Sequence, residues 1–257
     1  MKIAVAGKGG VGKTMISAVL ARVLARRGFS VLAVDVDPSL NLATSLGVPA
    51  EVAAGIRPIS EETELIESRV KTSFGPVMNL TPKVDDIIER YSLTAPDGVR
   101  LIAVGTVRTG GEGCQCPENA FLRAILAQLI LGQREMAILD MAAGLEHLGR
   151  GTAKGVDLML CIVEPTMKSF DTAVRIVGLS RDLGIRRVWV VANKLVKGRD
   201  ESLVESKASA VGLKIMGIIP YDESIVEAER KGVSPMDLNQ EGEAVRAIWN
   251  LSEKFDA

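Results

Sequence analysis

The 257-residue sequence predicts an α/β chain, a doubly wound and mostly parallel sheet with helices on both faces. Three observations carry this expectation. Apolar runs of strand length alternate with longer segments of helical periodicity. The apolar runs are continuous rather than alternating, as strands covered on both faces require. The first run opens directly into a glycine-rich loop followed by a helical pattern. Such alternation builds right-handed βαβ units, whose ligands gather at the carboxyl ends of the strands.

The elements follow in order. Residues 2–6 form the first strand and 11–27 the first helix, stopped by Gly28 at a helix C-cap position. Residues 30–34 are the second strand. From about 48 to 96 the chain is polar and broken by prolines, an irregular insertion of loops and short helices flanking the ligand site. Strand 99–104, helix 120–131 and strands 135–139 and 158–163 come next. Helix 169–183 stops at Gly184, and strand 187–192, helix 201–211 and strand 213–219 follow. Helices 223–231 and 242–255 close the chain. No linker rich in Pro, Gly or Ser divides it, so residues 1–257 read as a single domain.

Composition excludes several classes. At 47% hydrophobic and 25% charged residues the chain is ordinary globular material with a large core. A formal charge of −1, with two Trp, two Tyr and five Phe, argues against a nucleic-acid partner. No apolar run reaches the roughly 18 residues of a membrane span, and the N-terminus enters a strand rather than a signal peptide. Three cysteines, two of them separated by one residue, fit a reducing cytoplasm rather than a disulfide scaffold. The expectation is a cytoplasmic protein without a membrane partner.

Residues 7–14 read G-K-G-G-V-G-K-T, a phosphate-binding loop of the form G-x-x-x-x-G-K-[ST] with an additional lysine, Lys8, at its second position. Backbone N–H groups of Gly7, Lys8, Gly9, Gly10, Val11 and Gly12 wrap phosphate oxygens in such a loop, and the following helix aims its positive end at them. Lys13 then reaches the β/γ-phosphates and Thr14 offers a hydroxyl to Mg²⁺. Asp35 and Asp37 end the second strand in V-D-V-D-P. Asp140 ends strand 135–139, the place of a carboxylate that holds Mg²⁺ through water. For each aspartate the competing role is a helix N-cap or a strand-end turn residue. Asn193 and Lys194 follow strand 187–192, where the base belongs. Guanine-binding proteins place an aspartate two residues beyond such a pair. Here Val196 stands there and cannot accept, which favours ATP over GTP. Pro220, Tyr221 and Asp222, after the last strand, offer backbone contacts to adenine.

Lys8 within G-K-G-G-V-G-K-T, the V-D-V-D-P segment and D-x-x-A-G from Asp140 resemble the deviant-loop ATPases. That group includes cell-division positioning proteins, the iron protein of nitrogenase, tail-anchored-protein targeting factors and metallocentre assembly ATPases. The resemblance implies that Lys8 crosses to the ATP of a partner subunit, making activity depend on a homodimer. It also implies that Asp37 positions the attacking water, with Lys13, Thr14 and Asp140 serving phosphate and Mg²⁺ and with Asp35 and Asp37 as further carboxylates beside the metal.

After the third strand comes T-G-G-E-G-C-Q-C-P, with Cys114 and Cys116 ahead of Pro117 at a first helical position. A Cys-x-Cys pair closes too small a ring for a good disulfide but makes half of a soft-metal site. The helix start behind it favours thiolates. A two-fold dimer would complete four sulfurs across its interface. E-G-C-x-C-P together with A-G-L-E-H-L-G-R-G-T at 143–152 resembles the CooC-type ATPases that assist nickel insertion into carbon monoxide dehydrogenase. The resemblance implies ATP-driven dimer closure that binds or releases Ni²⁺, one ion per dimer, at Cys114 and Cys116. Zn²⁺ suits the same four-sulfur site, since tetrahedral thiolates discriminate weakly. Cys161, inside strand 158–163, reads as core, and His147, the sole histidine, as a helix-start residue packing locally.

Three other readings compete. A reductase of the nitrogenase iron-protein type would hold a four-iron cluster on cysteines from two separate segments, and this chain offers no suitable second one. A MinD/ParA-like positioning ATPase would need a basic amphipathic tail, whereas the tail here carries Glu241, Glu243, Glu253 and Asp256 against Arg246 and Lys254. A nucleotide sensor without turnover is the third.

Overall fold

Side-chain alternation along β1 (Lys2–Gly7) sets the layering of the molecule. Ile3 and Val5 enter one apolar layer, and Ala4 and Ala6 enter the other. The structure, a computed structural model, describes residues 1–70, 79, 83–84, 86–105, 117–128, 132–144, 153 and 155–256. The remaining strands are β2 (Ser30–Asp35), β3 (Leu93–Thr94), β4 (Arg100–Ala103), β5 (Glu135–Asp140), β6 (Leu158–Val163), β7 (Arg187–Leu195) and β8 (Ile215–Pro220). They form one eight-stranded sheet in the order β3-β4-β2-β5-β1-β6-β7-β8. Every neighbouring pair is parallel except β3 with β4. The doubly wound, mostly parallel sheet expected from the apolar runs is therefore present, and seven carboxyl ends share one edge.

Helices cover both faces. On the first lies α1 (Lys13–Arg26), which buries Ile16, Leu20 and Leu24 completely against Ile3, Val5 and Ile138. Each such side chain contributes roughly 1.5–3 kcal/mol by leaving water. Gly28, at φ +86, ends this helix as its C-cap position required. The short α2 (Leu42–Leu46) follows β2, and the insertion supplies α3 (Ala50–Ala53), α4 (Thr63–Val70) and α5 (Ile87–Tyr91), short helices as its broken pattern suggested. It docks at the carboxyl end of β4, where Ser60 N–H donates to the Val104 carbonyl. The second face carries α6 (Pro117–Gln128) and α7 (Met167–Asp182), with Phe121 and Phe170 in its core, and α8 (Glu201–Ala210). Pro117 opens α6 as expected. Then come α9 (Glu223–Lys231), α10 (Pro235–Leu238) and α11 (Glu243–Glu253), whose Val245, Ile248 and Leu251 join the layer of α1.

Three differences from the sequence expectation matter. β2 and β5 each run one residue further, so Asp35 and Asp140 are themselves ladder residues. β7 continues to Leu195 through an irregularity after Ala192, so Asn193 and Lys194 lie within it rather than beyond it. The physical reason is Lys194 at φ +62, a left-handed kink that a β pattern does not announce. The two-residue β3 and the four-residue α10 are too short to show any periodicity. Among the described residues, no helix is long and apolar enough to cross a membrane.

Candidate nucleotide site

The phosphate loop springs from the centre of the sheet. Val11 is buried and plugs the loop onto the core beneath it. Gly12, at φ +92, precedes α1, and a Cβ there would stand 2.4 Å from Asn193 Nδ2. Only glycine allows that approach. Asn193 uses it: its Nδ2 donates to the Val11 carbonyl at 2.8 Å, while Lys194 Nζ donates to the Gly10 carbonyl at 2.7 Å. β7 therefore clasps the loop from the side. No side chain caps the N-terminus of α1, so its first N–H groups and the positive end of its dipole remain available to an anion. Lys13, 7% exposed, donates to the Lys8 carbonyl at 3.4 Å. Burial lowers its pKa, opposed by Asp140 and Asp37.

Beside the loop two carboxylates stand in adjacent strands. Asp35 of β2 and Asp140 of β5 are register partners, both nearly inaccessible to solvent. Asp35 accepts from the N–H groups of Asp37 and Leu42 at 3.0 and 3.1 Å, stapling the turn that leads into α2. Burial, reinforced by the like charge of Asp140, raises its pKa to about 7. Asp140 accepts the Ser17 hydroxyl on Oδ1 at 3.0 Å, whereas its buried Oδ2 has no partner. Burial raises the Asp140 pKa to about 6, opposed by the hydroxyls of Thr14 and Ser17 and by Lys13. An orphaned oxygen on a buried carboxylate is costly unless a cation or its water meets it. This free oxygen, on a carboxylate that also interacts with Thr14 and Lys13 of the phosphate loop, fits a hydrated Mg²⁺. Asp37 is half-buried, and its Oδ1 accepts from the N–H and hydroxyl of Ser39.

The other expected residues are distributed around this centre. Lys8 is partly exposed, with Nζ 3.6 Å from Glu164 Oε1. Such a solvent-screened pair contributes at most about 1 kcal/mol, so Lys8 is cheaply released. Pro220 ends β8, and Tyr221 is exposed. The Asp222 carboxylate caps α9 through Ser224 N–H and also accepts from Ala244 N–H of α11, leaving its backbone for any base contact. Cys161 is fully buried in β6 as expected, its thiol pushed up to about 12 by burial. Cys114, Cys116 and His147 lie outside the described residues. Two participants went unread in the sequence, Ser17 and Glu164. Ser17 lies four residues after Lys13, on the same helix face, which is the spacing that could have found it. Glu164 follows the last residue of β6, the neighbour of β1.

Residues 2–236 match the CobQ/CobB/MinD/ParA nucleotide binding domain. The chain belongs to that family. Within the CobQ/CobB/MinD/ParA family, it is 43% identical to the carbon monoxide dehydrogenase accessory protein CooC of Rhodospirillum rubrum, over 93% of this chain and 90% of that one. It is 41% identical to an uncharacterized ATP-binding protein of Methanocaldococcus jannaschii, over 99% of this chain and 98% of that one. In structure it superposes on the MinD cell division protein of Aquifex aeolicus with a TM-score of 0.72 at 23% identity, covering 99% of this chain and 96% of that one. That last likeness establishes the fold of the family and no more. The site is that of a phosphate-loop ATPase, and the chain is an ATPase.

Proposed function

We propose that the chain is a homodimeric metallochaperone ATPase that assists nickel insertion into carbon monoxide dehydrogenase or a related nickel enzyme. The cargo ion, Ni²⁺ or in its place Zn²⁺, is held between subunits by Cys114 and Cys116 of each chain. The observation that carries this reading is the 43% identity, over 93% of the chain, to a carbon monoxide dehydrogenase accessory protein. The geometry supplies the ATPase half. The loop amides and the α1 N-terminus bind the phosphates, and Lys13 neutralises the charge that builds on them. Thr14 and Asp140 would hold Mg²⁺, which would supply positive charge against that of the phosphates. Asp37 orients the attacking water, and Asn193 and Lys194 keep the loop in its binding shape from the side of the base. Lys8 leaves Glu164 to reach the nucleotide of the partner subunit, which makes closure of the dimer depend on ATP.

The positioning-ATPase alternative loses support from α11. Its apolar residues Val245, Ile248 and Leu251 are spent on the core rather than presented to a bilayer. The deciding experiment is metal stoichiometry on anaerobic, reduced protein, with mass measured in parallel with and without a non-hydrolysable ATP analogue. One Ni²⁺ or Zn²⁺ per two chains, lost in Cys116→Ser, is the expected result. One ion per chain, unaffected by that substitution, would overturn the shared site.

A further inference from the structure

Ser17 is one of few polar side chains inside the first apolar layer, 1% exposed on α1 between Ile16 and Ala18. A buried serine in a helix ordinarily satisfies its hydroxyl on the carbonyl four residues back. Ser180 of α7 does this, donating to the Ile176 carbonyl at 2.7 Å. Ser17 instead reaches across to β5 and donates to Asp140 Oδ1 at 3.0 Å, a contact spanning 123 residues of sequence. A carboxylate turns about a soft terminal torsion, and a single charge-assisted donor fixes its plane. With Oδ1 taken by Ser17, the second oxygen, Oδ2, is the one left buried and without a partner. Ser17 sits one helical turn beyond Lys13 and three residues beyond Thr14, on the same helix.

We propose that Ser17 is a positioning residue that fixes the Asp140 carboxylate so that its free oxygen meets the Mg²⁺ of the nucleotide complex. The inference rests on the reading of Asp140 as the carboxylate serving Mg²⁺. The Ser17 hydroxyl is spent on Asp140 Oδ1. It acts by removing the orientations in which both carboxylate oxygens swing away. Partners in this position typically change metal affinity or activity by 10- to 100-fold when removed.

The test is a Mg²⁺ titration of the full-length protein bound to a fluorescent ADP analogue, together with the Mg²⁺ dependence of ATP turnover. In Ser17→Ala, which keeps α1 helical and removes only the hydroxyl, the half-saturating Mg²⁺ concentration rises on the order of tenfold. Nucleotide affinity in EDTA stays put, and the shift in Mg²⁺ dependence exceeds the change in turnover at saturation. Ser17→Thr, which retains a donor, moves back towards the wild-type titration. A half-saturating concentration within twofold of wild type in Ser17→Ala would overturn the proposal, provided Asp140→Asn shifts it strongly. If Asp140→Asn also leaves it unchanged, the reading of Asp140 itself fails and the Ser17 proposal falls with it. Thermal unfolding in EDTA confirms that each variant is folded.

Discussion

Without metal or nucleotide, the Asp35–Asp140 pair makes the protein less stable as the pH rises. Both groups hold their protons more tightly when folded, because burial and mutual repulsion disfavour the charged forms. Unfolding releases those protons wherever the pH lies between the unfolded and folded values. Stability is therefore fully present below about pH 4, falls as the pH climbs to about 6 for Asp140 and about 7 for Asp35, and then levels off. For Asp35 the rise from 3.8 to about 7 corresponds to an upper bound near 4 kcal/mol. The carboxylates that arginines or caps hold below their ordinary range, Asp86, Asp97, Asp200 and Asp222, act below pH 4 and leave this window clear. Asp35→Asn removes the ionisation while keeping one acceptor for the N–H groups of Asp37 and Leu42. The lost second bond costs about 1–2 kcal/mol. The variant is thus expected to be about 2–3 kcal/mol more stable than wild type at pH 8, and equal to it or slightly weaker at pH 4.5. Urea unfolding in EDTA at the two pH values measures this. A difference that does not grow between pH 4.5 and pH 8 would refute the assignment of the strain to this pair.

Gly12→Ala drives a Cβ to 2.4 Å from Asn193 Nδ2 at φ +92, so the clasp opens and ATP affinity by calorimetry drops at least about tenfold. Unchanged affinity would mean that loop shape does not depend on the contact with β7. Asn193→Ala leaves the Val11 carbonyl without its donor and is expected to weaken ATP binding less, by about 1 kcal/mol, without changing the preference for ATP over GTP. A changed preference would instead give Asn193 a direct role at the base. Lys8→Ala is expected to bind ATP normally yet stay monomeric with the analogue in light scattering, and normal ATP-dependent dimerisation would sink its bridging role.

Strand and helix identity was legible because the physics behind it is local. Continuous apolar runs such as residues 158–163 fit only a strand covered on both faces, and Gly28 and Gly184 mark helix ends through a backbone angle that other residues avoid. The phosphate loop was legible for the same reason, since strand, loop and helix are consecutive. What the sequence withheld depends on strand order. Asp35 and Asp140 are separated by more than one hundred residues, and their repulsion exists only because β2 and β5 are neighbours in exact register. Ser17 reads as one more small residue in an apolar helix until β5 is placed beneath it. Asn193 and Lys194 signalled a base-binding segment, but their reach to Val11 and Gly10 follows from β7 extending past its pattern through the kink at Lys194. These unread contacts share one consequence. The sheet brings two buried carboxylates together, Asp140 balanced by the hydroxyls of Thr14 and Ser17 and by Lys13, and Asp35 by the N–H groups of Asp37 and Leu42.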